Sequence, residues 1–222
     1  SGRTVAPAAA APFPYSPLRK SLFLFSLLLL LSSARSLSHP MGNFSVNRWT
    51  RLSPRARDID VTHVIDLAEI PTQKILSEAG LTSAPRGEAL ARLRDALAAR
   101  FLPGLVLTVE GARVALTVVR SALEFAPGVA DLPTARLTLN CEADVPKAGE
   151  AVVAFSDTNF EGRVGWKEVV ATAGPGATLL SSNVPPTDRS RQLTEYPADP
   201  AEPPSEVTTA ALRVRFGAAP GR

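Results

Sequence analysis

Between residues 43 and 67 apolar and polar side chains alternate with a period of two, a pattern that predicts two strands joined by a turn. Residues 43–52 place Phe44, Val46 and Leu52 on one side and Asn47, Trp49 and Arg51 on the other, as a half-buried strand would. Residues 58–67 alternate more strictly: Ile59, Val61, His63, Ile65 and Leu67 share one face, and Asp60, Thr62 and Asp66 the other. The turn falls at 53–57, and Ile70 and Pro71 end the second strand. The period then becomes helical. Residues 72–79 read as a short helix closed by Gly80, since glycine takes the left-handed conformation that a helix end often needs. Across 88–101, Leu90, Leu93, Leu97 and Phe101 recur at spacings of three and four between Pro85 and Pro103, which predicts an amphipathic helix with Arg92, Arg94, Asp95 and Arg100 on its wet side.

After Gly104 the two-residue period returns. Residues 105–109 and 113–119 flank Glu110 and Gly111, a hairpin signal. Leu137, Leu139 and Cys141 alternate with Arg136, Thr138 and Asn140. Further strands are predicted at 151–155, 165–172 and 207–216, the last with Leu212, Val214 and Phe216 inward. The Pro-rich, charged residues 185–205 form a long loop before the final strand. Many short strands at this spacing make the fold class mainly β: a β-sandwich-like domain with a helical insertion at about 70–101. No internal repeat is present.

The front of the chain changes the setting of that domain. Arg19 and Lys20 precede an apolar run at 22–31, and Ser36 and Ser38 offer small residues before a cut ahead of His39. Residues 19–38 thus have the form of a cleavable signal peptide, because the apolar run is about half the length a bilayer requires. The expected product is exported, to the periplasm or the cell surface. Residues 1–18, rich in Ala and Pro, read as a disordered extension. A single β-rich extracytoplasmic domain is expected over 39–216, with 217–222 a linker or truncated end; a chain that begins at Ser1 and not Met reads as a fragment.

Removing the leader also removes the chain's basicity. Of 24 Lys and Arg, Arg3, Arg19, Lys20 and Arg35 precede the cut and no acidic residue does, which leaves 20 basic against 21 acidic side chains. A nucleic-acid partner is not expected of such a surface. Cys141 is the only cysteine, so an internal disulfide is impossible and thiolate-rich zinc clusters are excluded.

Few residues offer chemistry. A cut before His39 frees an α-amine and an imidazole on one residue, and both release their protons near neutrality to a metal such as nickel, cobalt or copper. Pro40 lacks the amide that a site built on consecutive N-terminal nitrogens needs, so a further ligand is required. His63 is the other histidine. It lies on the apolar face of its strand, where the ordinary reading is a core histidine with one hydrogen-bond partner and the alternative is a two-histidine metal site with His39. Asp66 with Glu69, and Asp157, Glu161 and Glu168 around 159–166, are carboxylates that could do acid/base work or bind a hard cation, though such residues more often solvate loops. Cys141, on an inward strand face, reads as a buried inert thiol. GxSxG, P-loop, GxGxxG and HExxH motifs are absent, which argues against hydrolase and nucleotide chemistry. Asn43 in Asn-Phe-Ser is a glycosylation sequon only in a eukaryotic secretory path.

Four words in the chain carry a family resemblance: His-Pro-Met-Gly-Asn-Phe-Ser-Val-Asn at 39–47, Val-Ile-Asp-Leu-Ala-Glu-Ile-Pro at 64–71, Pro-Gly-Val-Ala-Asp-Leu-Pro-Thr at 127–134, and Asn159-Phe160 with Arg-Val-Gly-Trp-Lys-Glu at 163–168. In this order they resemble the extracytoplasmic N-terminal region that precedes the membrane domain in bacterial nickel/cobalt transporter-like proteins. The resemblance implies a non-enzymatic, β-rich domain tethered to a polytopic membrane permease and serving metal transport or its assembly. It supplies no metal ligand, because the family's helical metal-binding signatures have no counterpart here. The words also have a scaffold explanation, with Gly42, Gly128 and Gly165 at turns, Pro71 and Pro133 at strand ends, and Trp166 as a core anchor. From another functional class, the alternative is a free-standing secreted β-sandwich that binds a protein or carbohydrate partner.

Overall fold

The strict alternation at 58–67 becomes a strand of just those bounds. In the computed structural model, which describes residues 2, 42–145, 148–196 and 203–217, β1 (Val46–Pro54) and β2 (Asp58–Leu67) form an antiparallel hairpin closed by the Arg55 N–H donating to the Asp58 carbonyl at 2.8 Å. The proposed leader and His39 lie outside the described residues. The inward face of β2, Ile59, Val61, His63, Ile65 and Leu67, is fully buried.

Two helices follow, α1 (Glu69–Glu78) and α2 (Gly87–Phe101), then β3 (Leu105–Val109), β4 (Ala112–Val114), β5 (Thr117–Pro127), β6 (Pro133–Asp144), β7 (Gly149–Asp157), β8 (Lys167–Ala171), β9 (Ala177–Ser182) and β10 (Thr209–Phe216). The strands form two five-stranded sheets, ordered β5-β6-β2-β1-β8 and β4-β3-β7-β10-β9. Side chains from both sheets share one hydrophobic core with the apolar stripe of α2, Leu93, Leu97, Ala98 and Phe101, so the body is mainly β and sandwich-like. The α1 helix packs on β6 and β2, and α2 on β5. Among the described residues no helix is long and apolar enough to cross a membrane.

Several elements differ from the sequence pattern. The first helix starts at Glu69, three residues earlier than expected, because Pro71 sits in its first turn, where a missing N–H costs nothing, and does not end the preceding strand. Residues 113–119 are not one strand. Glu110 (φ 52°) and Gly111 (φ 78°) form the expected tight turn, but the chain leaves the second sheet after Val114, and from Thr117 it pairs with β6 in the first. The strands β5 and β9 lie at the edges of their sheets and are mostly exposed or half-buried. Most consequential, β1 is buried on both faces, not half-buried. Its outer side carries a second cluster, Trp49, Val64, Trp166, Val170 and Leu193, with Tyr196 packed against it. The cover comes from residues 188–196, part of the long loop predicted at 185–205.

Candidate functional site

Alternation along β1 puts Arg48 and Thr50 on the same inward face as Val46 and Leu52, so two polar side chains enter the space between the sheets. Arg48 meets that demand across the sandwich: its Nη1 donates to Asp157 Oδ2 at 2.8 Å and to the Asn159 carbonyl. The two charged side chains are 4% and 3% exposed. Asp157 Oδ1 in turn accepts from the Asn159 amide N–H at 2.9 Å and from Asn159 Nδ2 at 3.0 Å. Asn159 Nδ2 also donates to the Phe101 carbonyl at 3.0 Å, which ties the end of α2 into the network. Burial pulls the Arg48 pKa below its ordinary value, against the attraction of Asp157. A small cleft of about 260 Å³, bordered by Glu161, Lys167 and Glu206, opens beside this pair.

One register step along, Thr50 faces His63, and Thr50 Oγ1 lies 2.9 Å from His63 Nδ1. The other ring nitrogen, Nε2, has no hydrogen-bond partner among the described residues. Burial pushes the imidazole pKa down to about 4; Asp157 opposes the shift and Arg48 adds to it. His63 is thus fully buried, with Thr50 as its one side-chain hydrogen-bond partner among the described residues. Among the described residues no group of three or more His, Cys, Asp or Glu is placed to hold a metal ion.

The remaining candidate residues are spread through the scaffold. Cys141 is buried on β6, and desolvation raises its thiol pKa to about 11. Glu69 is buried, and its Oε1 accepts the Val129 N–H at 2.9 Å. Asp157 serves the Arg48 brace, Glu161 borders the small cleft, and Glu168 turns to the outer face. There Glu168 Oε2 accepts from Trp166 Nε1 at 2.9 Å and from Ser190 Oγ at 2.5 Å, while Oε1 accepts the Arg189 N–H at 2.6 Å. Arg48 was missed in the sequence, although a charge between Val46 and Leu52 on an apolar face was a signal that could have found it. The loop partners of Glu168, Arg189 and Ser190, lie more than twenty positions away and left no sequence signal.

The four words of the family resemblance meet in pairs. Asn47 Oδ1 accepts the Trp166 N–H at 2.8 Å, and Gly165 (φ 148°) lies so close to β1 that a Cβ there would fall 2.2 Å from the Val46 carbonyl oxygen. Likewise the Glu69 carboxylate fills the space beside Gly128, where a Cβ would fall 2.6 Å from Oε1. The first word thus locks to the fourth and the second to the third. Trp166 is a buried anchor and Pro133 begins β6, whereas Pro71 belongs to α1. No protein-family model matches the chain, and no curated protein matches it.

A cleft of about 730 Å³ lies where the 84–86 segment and α2 approach β5 and β6, with Leu90, Leu123 and Phe125 in its wall and Arg86, Asp66 and Arg136 around it.

Proposed function

We propose that residues 39–216 act outside the cytoplasm as a non-enzymatic domain of a nickel/cobalt transporter-like membrane protein, released from a signal peptide at 19–38 and tethered to a polytopic permease. The observation that carries this reading is the pairwise meeting of the four words, one pair tying β1 to the segment before β8 and the other tying α1 to the turn at 128–131, so the words that resemble the family serve the scaffold. The buried charges have the same character, since Arg48, Asp157 and Glu168 each bind one segment to another. On this reading, capture of nickel, cobalt or copper falls to the freed amine and imidazole of His39 with a ligand from outside the core, because His63 has no exposed surface.

The test has two parts. N-terminal sequencing of the protein recovered from expressing cells should begin at His39. Titration of that protein with nickel should show binding at least ten times tighter than in the His39→Ala form. Equal affinities would remove the metal role, and an uncut N-terminus would remove the export reading. The 730 Å³ cleft favours a second reading, a free-standing secreted β-sandwich that binds a protein or carbohydrate partner. A stop codon directly after Arg222 in the gene favours this second reading, and an open frame encoding several apolar helices favours the first.

A further inference from the structure

Residues 188–196 form a self-contained strap over the outer face of the first sheet. Their own bonds shape the loop: the Thr194 and Glu195 N–H groups donate to the Ser190 carbonyl at 3.0 Å, the Gln192 N–H to Asp188 Oδ2 at 2.6 Å, and the Leu193 N–H to Ser190 Oγ at 3.2 Å. The approach to the strap is fixed where the Ala171 N–H donates to the Pro185 carbonyl at 3.0 Å and Thr172 Oγ1 to the Pro186 carbonyl at 2.8 Å. Beyond that anchor the strap is held by the Glu168 carboxylate, by Arg136 donating to the Gln192 carbonyl, and by the packing of Leu193 and Tyr196 on the two indoles.

Three successive residues of the strap, Arg191 (φ 44°), Gln192 (φ 59°) and Leu193 (φ 67°), are left-handed, and none is glycine. Each costs conformational energy that its surroundings must offset, and strain of this kind gathers at clamps and switches. The face beneath offers more than the strap uses. The Arg189 guanidinium lies 5.2 Å from the Trp166 ring centroid, whereas the Trp49 indole N–H, fully buried in the same cluster, has no acceptor among the described residues.

From these observations we infer that the strap is a displaceable internal ligand, and that the face it covers receives a segment of a partner protein with an arginine on Trp166 and a large aliphatic side chain four residues later in the place of Leu193. Such a segment reproduces the cation–π contact and the backbone N–H hydrogen bond to the Glu168 carboxylate without three left-handed residues, and its backbone carbonyl can satisfy the Trp49 N–H. The cost of displacing the strap sets the threshold for the partner, which is how an internal pseudo-ligand suppresses weak or mistaken binding. This inference does not depend on the permease reading.

Native-state hydrogen exchange on the unaltered chain tests whether the strap opens. The amides of Leu193, Thr194 and Glu195 are expected to exchange at least 100-fold faster than those of Trp49 and Val64; exchange of all five at one common rate, through global unfolding alone, overturns the proposal. Occupancy is tested with a labelled peptide of sequence 187–196 added to the full chain. It is expected to bind the Leu193→Ser form at least tenfold more tightly than the unaltered chain, and an Arg189→Ala peptide at least tenfold more weakly than the parent. No binding to either chain, or affinities indifferent to both changes, overturns the inference; if Leu193→Ser does not fold, the exchange result on the unaltered chain decides.

Discussion

His63 and Arg48 are both buried on inward strand faces, and each answers the cost of burial differently. The imidazole stays neutral. An unfolded chain takes up a proton there near pH 6.5, the native protein only near pH 4, so the unfolded state binds more protons throughout that window. Stability is therefore full above pH 6.5 and falls as the pH drops toward 4, by about 3 kcal/mol in total. Urea midpoints measured from pH 7 to pH 4 should decline more steeply in the unaltered chain than in His63→Leu; identical slopes would show that the imidazole protonates freely in the native state. Arg48 keeps its charge and finds a counter-charge across the core. Asp157→Asn should cost about 3–5 kcal/mol in urea denaturation, because it strands a buried guanidinium, and Arg48→Met on the same background should restore part of the loss. An Asp157→Asn chain as stable as the parent would mean that water reaches the pair.

Elements were legible where one face alone was buried. The bounds of β2 followed from five apolar-face residues alternating with polar ones, and α2 from its stripe between two prolines. Alternation was silent about β5, where Leu123 is the one fully buried residue, and about β9, which has none. It misjudged β1, since the residues that cover Trp49 lie well over a hundred positions further along the chain. The candidate site divides in the same way. His63 and Cys141 were placed correctly in the core by their strand faces, whereas the roles of Glu69 and Glu168 depend on backbone N–H groups of distant turns, which side-chain patterns do not encode. The contact between β1 and the start of β8 gives the sharpest test at this scale. Gly165→Ala would push a methyl group into the Val46 carbonyl at a φ that alanine rarely adopts, and should cost about 3 kcal/mol or more, read as a drop in thermal midpoint. An unchanged midpoint would mean that β8 can move away from β1 without loss.

In the whole molecule, β1 belongs to both hydrophobic clusters at once: Val46 and Leu52 to the core between the sheets, Trp49 to the cluster outside. The two clusters should lose their order together. Unfolding followed by far-UV circular dichroism, which reports both sheets, and by tryptophan fluorescence, which reports the outer cluster, should give superimposable urea curves. A fluorescence transition that runs ahead of the dichroism would show that the outer cluster melts by itself. The parallel pairing of β1 with β8 bears also on how the protein comes into being. Asn47 and the Trp166 N–H it accepts are separated by 119 positions, so a nascent chain must be extended across that whole interval before β1 gains its second neighbour. Throughout that interval one side of β1 is an unpaired strand edge, the kind of surface on which wrong pairing begins.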